Sequence, residues 1–390
     1  MSKLLYKNHS FPTSTHCNTV IKKMMFRKKS RACFRLESLK HIDSILSLYS
    51  INLTKTKIKR NVNFIHRIVI FLIWLLIIAS DLYCLWRNLL TSNMFILLFN
   101  AMSFIMWCIL SKNERKCAKA VCTIKRVRKL SKSHLRLSSP ICIFLILTTV
   151  LTPVIVTLHN SILSLEKERC RDMWTPISNE ILQTFLLIIQ KTLRHFFTYG
   201  LFYFVTSFFF YICMELNSSV KCLTGDIINN YCSEERKNML YASIIKALSE
   251  IEESFCSPVF IVLAIAFALF FRVVVEFLFN PIFQSMSYLT VGTASYMLGS
   301  FTSFISVVMA ADKLQSNIRK LRRMKLNNCY ASLNNGYFLN DMIEEFLTLM
   351  EDRGSITLTA WKTFHIHRGL LVTAAASLIS YSVILNQFNV

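Results

Sequence analysis

Seven long and mostly apolar stretches limit what this sequence can fold into more than any other feature. A helix needs about 20 such residues to cross the hydrocarbon core of a bilayer. The stretches are Phe64–Trp86, Asn93–Leu110, Pro140–Leu163, Ile181–Glu215, Pro258–Asn280, Phe283–Ala311 and Phe364–Phe388. They predict an all-α membrane protein with seven transmembrane helices. The apolar share of 53% is also higher than a soluble protein of this size usually carries.

The formal net charge of +23 is explained by where the basic residues lie. Thirty-five Lys and Arg residues fall in segments 1–63, 111–138, 216–257 and 312–360, and four fall in the alternate loops. Cytosolic loops of membrane proteins collect Lys and Arg. We therefore expect an inverted topology, with the amino terminus in the cytosol and the carboxyl terminus outside, opposite to a G-protein-coupled receptor. Because topology accounts for the charge, we expect no nucleic-acid partner.

The chain is expected to form one membrane domain with cytosolic extensions. Residues 1–63 would be a basic cytosolic segment without a removable signal peptide, and 64–311 the first six helices with the ligand-binding region. Residues 312–363 would form a cytosolic anchor, and 364–390 the last helix. The glycosylation motifs at Asn8, Asn52 and Asn217 all fall on the predicted cytosolic side, where they would not be used.

Two amphipathic helices are predicted on the cytosolic side from apolar residues spaced three and four apart. The first carries Leu240, Ile244, Leu248, Ile251 and Phe255, and the second Ile343, Phe346, Leu347 and Met350. Such helices either lie on the membrane surface or form a bundle below the bilayer that joins subunits. Both segments contain acidic residues, which anionic lipid repels, and this favours the bundle.

The last stretch carries the most specific motif, Ser380-Tyr381 followed by five residues and then Gln387-Phe388. This resembles the carboxyl-terminal motif of insect gustatory receptors: Thr-Tyr, five mostly hydrophobic residues and Gln-Phe. Ser380 keeps the hydroxyl of the usual Thr, whereas Asn386 interrupts the apolar run. The segment from Thr359 to Ile366 is also similar to the family, except that Lys362 stands where Gly is common. The sequence resemblance covers about the last thirty residues, and the topological one the whole chain.

The resemblance implies a tetrameric, ligand-gated, non-selective cation channel in the plasma membrane of chemosensory neurons. Four copies of the last helix would surround the pore, and each subunit would bind a small-molecule tastant. A homotetramer and a heterotetramer with related subunits both fit. The wider family responds to sugars, bitter compounds, carbon dioxide and other volatiles, so the ligand is left open. The more distant odorant receptors share this architecture, and an odorant-receptor-like subunit is therefore an alternative.

Residue spacing in the last helix is compatible with a pore. A single face, with steps of four, three, four and three residues, carries Thr373, Ser377, Ser380, Ile384 and Gln387. Four such faces would enclose a wettable path that narrows at Ile384 and Gln387, a candidate gate. The motif places Tyr381 and Phe388 beside it. The alternative is that these hydroxyls bond back to their own helix or face a neighbouring helix.

Charged and polar residues inside the predicted spans indicate a binding site, because charges within a bilayer are costly. Arg272 and Glu276 lie four apart and can pair on one helix face. Further polar residues at a similar depth are Thr152, His159, Lys191, Arg194, His195, Tyr288, Thr293 and Tyr296. Together they predict an externally open cavity for a small organic ligand. The alternative for each residue is an internal ion pair or a hydrogen bond between helices. A stripe containing Gly299 and Ser303 predicts close helix packing.

Other classes of site have little support in the sequence. The thirteen Cys residues include no C-x-x-C pair, and we expect no metal and no cofactor. Cys84 and Cys170 are either bonded or free. We expect no enzyme or transporter, because neither catalytic acid and His spacing nor pseudo-repeated halves are visible. A seven-helix receptor that does not conduct ions is a further alternative, which the charge distribution opposes.

Overall fold

The computed structural model describes residues 60–87, 91–131, 189–190, 192–229, 233–279, 289–334, 357–360 and 363–388, some of them through their backbone alone. We number the described helices in chain order. They are α1 (Arg60–Arg87), α2 (Thr91–Lys112), α3 (Glu114–Ser131), α4 (Leu201–Asn229), α5 (Glu234–Phe279), α6 (Leu289–Asn334) and α7 (Gly369–Phe388). A π-helix, Phe196–Gly200, leads into α4. Two short strands, β1 (Thr359–Ala360) and β2 (Phe364–His365), precede α7.

Four helices within the described ranges are long and apolar enough to cross a membrane. These spans are Phe64–Tyr83, Met94–Lys112, Thr192–Asn229 and Glu234–Arg272, and they correspond to the first, second, fourth and fifth predicted spans. The sixth and seventh predictions fall on α6 and α7. The third, Pro140–Leu163, lies outside the described residues. The helical membrane fold is thus confirmed, whereas the count of seven and the inverted orientation stay predictions.

Helices α5 and α6 are much longer than a membrane span requires. Each has 46 residues, which corresponds to about 69 Å at the helical rise, against about 30 Å of hydrocarbon core. About half of each helix therefore projects beyond the bilayer. Pro258, the predicted start of the fifth span, lies inside α5. The helix continues through it because Phe255 and Val259 on either side are buried in tertiary contacts.

The basic segment 111–138, predicted as a loop, contains a helix. α3 follows α2 almost without a break, because the Asn113 backbone N–H donates to Ile109 O and the Cys117 N–H to Asn113 O, both at 2.9 Å. α3 packs against α4 and α5. Its buried residues include Cys117, Ala120, Val121, Ile124 and Val127, which recur at helical spacing. That periodicity was available in the sequence, but the many charges of the segment concealed it.

The projecting parts of four helices pack into one unit, which we call the inner bundle. It comprises α3 with the parts of α4 after Glu215, of α5 before Pro258 and of α6 after Ala311. The first predicted amphipathic helix lies at its centre, and its residues Leu240, Ile244, Leu248, Ile251 and Phe255 are all buried. This confirms a bundle rather than a helix on the membrane surface. Its role in joining subunits stays a prediction, and the second amphipathic segment, 343–350, lies outside the described residues.

Polar side chains also bond across the inner bundle. Asn317 Nδ2 donates to Asn217 Oδ1 at 2.6 Å, and Lys325 Nζ donates to Asn238 Oδ1 at 2.6 Å. Both Asn217 and Lys325 are buried. Since buried polar groups are costly unless they are bonded, these contacts fix the relative positions of α4, α5 and α6. The buried Asn217 amide is also inaccessible to a glycan.

The predicted small-residue stripe brings α6 close to α4. A Cβ atom placed on Gly299 would lie 2.8 Å from Cζ of Tyr203 and nearer still to its hydroxyl oxygen. Ser303, one turn further along α6, is buried. The close packing predicted for this stripe is confirmed at these two positions.

The seventh helix begins later than predicted. The apolar stretch starts at Phe364, but α7 starts at Gly369, because β1 and β2 first form an antiparallel hairpin. The Ile366 backbone N–H donates to Leu358 O at 3.0 Å, and both residues are buried. A short apolar run can be a buried strand or the start of a helix, and periodicity alone does not separate the two.

Candidate functional site

Helix α7 presents three different faces. The core face packs against the rest of the subunit through Leu370, Leu371, Ala374 and Leu378. The hydroxyl face is the predicted pore face, formed by Thr373, Ser377, Ser380, Ile384 and Gln387. The third, which we call the apolar face, carries Val372, Ile379 and Val383. At about 100° per residue, the centres of these faces are roughly a third of a turn apart.

The hydroxyl face is largely uncovered in the single subunit. Thr373, Ser380, Ile384 and Gln387 are exposed, and Ser377 is half-buried. Thr373 Oγ1 donates to Gly369 O at 3.1 Å, the bond back to its own helix that the alternative interpretation expects. Such a hydroxyl keeps its lone pairs for water. The face is therefore wettable even where its hydroxyls bond to the backbone.

The exposed side of α1 differs from that of α7. Every exposed side chain described in α1 is apolar, among them Phe64, Leu72 and Leu76. α7 also exposes apolar side chains, with Val372 71% exposed and Ile379 65% exposed. Of these two helices, only α7 also exposes hydroxyl and amide side chains, at Thr373, Ser380 and Gln387. Lipid offers no hydrogen-bond donor to the remaining lone pairs of these hydroxyl and amide oxygens, whereas water does.

Tyr381 differs from the other predicted pore residues. Its ring packs edge to face against Phe271 of α5, with 5.8 Å between ring centroids. Phe271 in turn lies 6.4 Å from the ring of Phe95 on α2. Tyr381 therefore supports α7 from the side of the core face. Phe388 is the last residue of α7 and is described through its backbone alone.

A buried polar cluster joins α1, α2 and the helical turn before α4. Arg194 Nη2 donates to Asp81 Oδ1 in an ion pair, and Asn100 Nδ2 donates to Asp81 Oδ2 at 2.5 Å. Asp81 and Asn100 are buried, at 3% and 2% exposure. A carboxylate in such surroundings requires partners of this kind. Arg194 therefore forms an internal ion pair of the kind given as the alternative, and its contact with a ligand stays a prediction.

Aromatic rings surround the π-helix next to this cluster. The His195 ring lies 5.5 Å from that of Tyr199, and the Tyr199 ring lies 4.5 Å from that of Phe99 on α2. π-Helical turns are often found at functional sites. His195 thus lies in aromatic surroundings of the kind predicted for the ligand region, and its contact with a ligand stays a prediction.

The remaining predicted ligand residues are less fully described. Thr152, His159, Lys191 and Tyr288 lie outside the described residues, and Glu276, Thr293 and Tyr296 are described through their backbone alone. Arg272 and Glu276 lie one turn apart on α5, so the spacing for an ion pair is present. Their convergence on one cavity stays a prediction.

The sequence indicated Arg194 as a candidate site residue but did not indicate its partners Asp81 and Asn100. Asp81 is an acid inside the first predicted span, and that costly position was a usable signal. Its partner could not be read from the sequence, because Arg194 is 113 residues away. Asn100 gave no signal, since an amide within an apolar helix is common enough to escape notice.

The cavity lined by Ile124, Lys125, Arg128, Tyr211 and Glu215 lies in the inner bundle and has a volume of about 20 Å³. Arg128 Nη1 lies 3.4 Å from Glu215 Oε1 at its wall. This volume suits a single water molecule, so the cavity does not fit a small organic ligand.

Two solved structures resemble this chain over most of its length. The insect olfactory receptor OR5 from Machilis hrabei matches with a TM-score of 0.64 and 12% identity, covering 90% of this chain and 98% of the receptor chain. The same receptor in complex with eugenol matches with a TM-score of 0.66 and 13% identity over the same shares. No protein-family model and no curated protein matches the sequence. The likeness establishes that this chain has the fold of an insect olfactory receptor.

Proposed function

We propose that this chain is a subunit of a chemosensory receptor that acts as a ligand-gated, non-selective cation channel in the plasma membrane. The uncovered hydroxyl face of α7, on a chain with an insect olfactory receptor fold, is the observation that carries the proposal. Four copies around one axis would turn this face inward and give it water. Their carboxyl ends would place partial negative charge at one mouth of the pore, which favours cations over anions.

The proposed ligand is a small-molecule tastant, and the cell a chemosensory neuron. The motif Ser380-Tyr381, five residues and Gln387-Phe388 supports the gustatory assignment. The eugenol complex of the similar receptor favours a second candidate, an odorant-type subunit that assembles with a related subunit. In either case the oligomer is a tetramer and the chain has no enzymatic activity.

Recording from cells that express the chain tests this function. Sugars, bitter compounds, carbon dioxide and eugenol are applied in turn, first to the chain alone and then with a related subunit. A cation current with the chain alone supports a homotetramer, and a current only with the partner supports a heteromer. Surface-expressed protein that gives no current with any of these ligand classes, alone or with a partner, would contradict the proposal.

Adjacent cysteine substitutions test which face of α7 meets water. Ser380→Cys lies on the hydroxyl face, whereas Ile379→Cys lies on the apolar face about 100° away. A charged, membrane-impermeant methanethiosulfonate should modify Ser380→Cys and reduce its current, and should leave the current of Ile379→Cys unchanged. The reverse pattern would show that another face lines the pore.

Gln387→Ala tests the candidate gate. Removing the amide should alter gating or ion permeation while surface expression stays normal. Currents identical to those of the wild type would exclude Gln387 from the gate and leave the pore face itself to the cysteine experiment.

A further inference from the structure

The hairpin before α7 is bonded to both α5 and α6 by polar side chains. Thr359 donates its backbone N–H to Glu252 Oε2 at 2.8 Å and its hydroxyl to Glu252 Oε1. Gln315 Nε2 donates to Ile366 O at 2.8 Å. Arg368 Nε lies 2.7 Å from Asp312 Oδ2; the two side chains are 65% and 21% exposed, so this pair is the weakest of the contacts. We call these contacts the clasp; they join the residues immediately before α7 to Glu252 of α5 and to Asp312 and Gln315 of α6.

The bonds of the clasp hold the hairpin in one position relative to α5 and α6, and they also stabilise the fold. Both carboxylate oxygens of Glu252 are used by one residue, which orients Thr359 as a bidentate contact does. Gln315 and Ile366 are each 1% exposed, so their bond cannot be exchanged for one to water. A slip of one residue in the hairpin would break these bonds and leave buried polar groups unpaired.

Glu253, the residue after Glu252 on α5, forms a surface ion pair instead of a bond to the hairpin. Glu253 Oε1 lies 2.9 Å from Lys116 Nζ, and the two side chains are 57% and 49% exposed. Pairs of this kind contribute little, because water solvates both charges when they separate. Glu253 therefore offers a matched control one residue from Glu252.

Beyond the clasp, α7 is held much more loosely. Its core face packs against the subunit, and Tyr381 contacts Phe271, but the hydroxyl and apolar faces are uncovered. Within one subunit, α7 is therefore held most firmly at its bonded end, and the part beyond that end has fewer contacts that resist displacement.

We propose that the clasp fixes the inner end of α7 and makes it a pivot, with Glu252, Gln315 and Asp312 as positioning residues. Movement of α7 during gating then takes place from Val372 onward, while Arg368 and the hairpin stay with the inner bundle. The fixed position is a property of the fold. The pivoting during gating rests on the proposed channel function.

Hydrogen–deuterium exchange on the full chain in lipid nanodiscs tests the fixed position without any current. Glu252→Gln loses one acceptor and places an amide donor against Thr359. Exchange in peptides covering residues 357–371 should rise by about tenfold or more, as expected when a hydrogen bond to a charged acceptor is lost. Thr359→Val should raise it less, and Thr359→Ser and Glu253→Gln should leave it unchanged. Unchanged exchange in Glu252→Gln would overturn the clasp.

A charge exchange tests the contact between Arg368 and Asp312. Arg368→Asp alone places two carboxylates side by side and should raise exchange at the first turn of α7. The double variant Asp312→Arg with Arg368→Asp should return exchange toward the wild-type rate. No return would remove this pair from the clasp.

Ligand-free cation current in expressing cells then tests the pivot. Glu252→Gln should raise this current relative to the wild type and to Glu253→Gln, because an unclasped α7 no longer keeps its closed position. Glu252→Gln could raise hydrogen–deuterium exchange while its ligand-free current equals that of a conducting wild type. The pivot would then be wrong, and the proposed channel function would be unaffected. If neither the wild type nor the variant conducts under any condition, the channel function fails, while the exchange result still decides the clasp.

Discussion

The inner bundle and α7 are both helical and apolar, yet they are held in place by different means. In the inner bundle, Ile244, Leu248 and Ile251 are fully buried, and polar bonds such as that between Asn317 and Asn217 connect its helices. In α7, Val372 and Ile379 are mostly exposed, and one of three faces is packed. The inner bundle thus holds a single subunit together. The surroundings of α7 come from outside the subunit, from lipid or from other chains.

The largest effect is expected at the buried ion pair that joins α1 to the helical turn before α4. Asp81→Ala leaves the buried Arg194 guanidinium without its carboxylate and should destabilise the protein by about 3–5 kcal/mol. Thermal unfolding in detergent and surface expression measure the loss. The double variant Asp81→Leu with Arg194→Met removes both charges and should recover much of it. Equal losses in the two variants would show that the ion pair is not the cause.

Replacing one isoleucine by alanine in the inner bundle and one in α7 compares the packing of the two regions directly. Ile251→Ala opens a cavity at a fully buried site of the inner bundle and should cost about 2–5 kcal/mol. Ile379→Ala removes the same atoms from a mostly exposed site on α7 and should change subunit stability by less than about 0.5 kcal/mol. Similar losses at both sites would mean that α7 is as tightly packed within the subunit as the inner bundle.

Two glycines sharpen the comparison between tight and open helix surfaces. Gly299→Ala pushes a methyl group into Tyr203 and should destabilise the fold by about 1–3 kcal/mol. Gly225 has no atom within 4 Å of the added Cβ, so Gly225→Ala should stabilise its helix by about 0.5–1 kcal/mol. The double variant Gly299→Ala with Tyr203→Phe should be less destabilised than Gly299→Ala alone, because Phe lacks the hydroxyl oxygen that lies nearest to the added methyl group. A neutral Gly299→Ala would show that Tyr203 moves aside freely.

The smallest expected effect is a pH dependence of the inner bundle. Burial raises the pKa of the Cys117 thiol from about 9 to about 12. Between these values only the unfolded chain loses the proton, so this contribution to stability is complete below pH 9 and decreases as the pH rises. Relative to Cys117→Ala, the wild type should lose roughly 1 kcal/mol of unfolding free energy by pH 10. Parallel pH profiles would contradict the burial of this thiol.

Local pattern predicted some features of the fold and missed others for identifiable reasons. The apolar spacing of Leu240, Ile244 and Leu248 predicted an amphipathic helix, and in the structure this apolar face is buried in the inner bundle. The predicted start of α7 at Phe364 is wrong, because Phe364 and Ile366 of the hairpin are apolar and continue into the apolar residues of the helix. The fifth span was predicted to begin at Pro258, whereas α5 begins at Glu234 and continues through this proline.

The candidate site divides in the same way. The spacing of Thr373, Ser380 and Gln387 predicted one face of α7, and the structure adds that this face is uncovered. Nothing local assigned Asp81 to Arg194 or Glu252 to Thr359, since these partners are 113 and 107 residues apart. The sequence alone determined which residues share a helix face and which segments prefer lipid to water, because both depend on periodicity and side-chain chemistry. Only the tertiary structure decided which faces are covered and which charges are paired, because these depend on helices that meet in space.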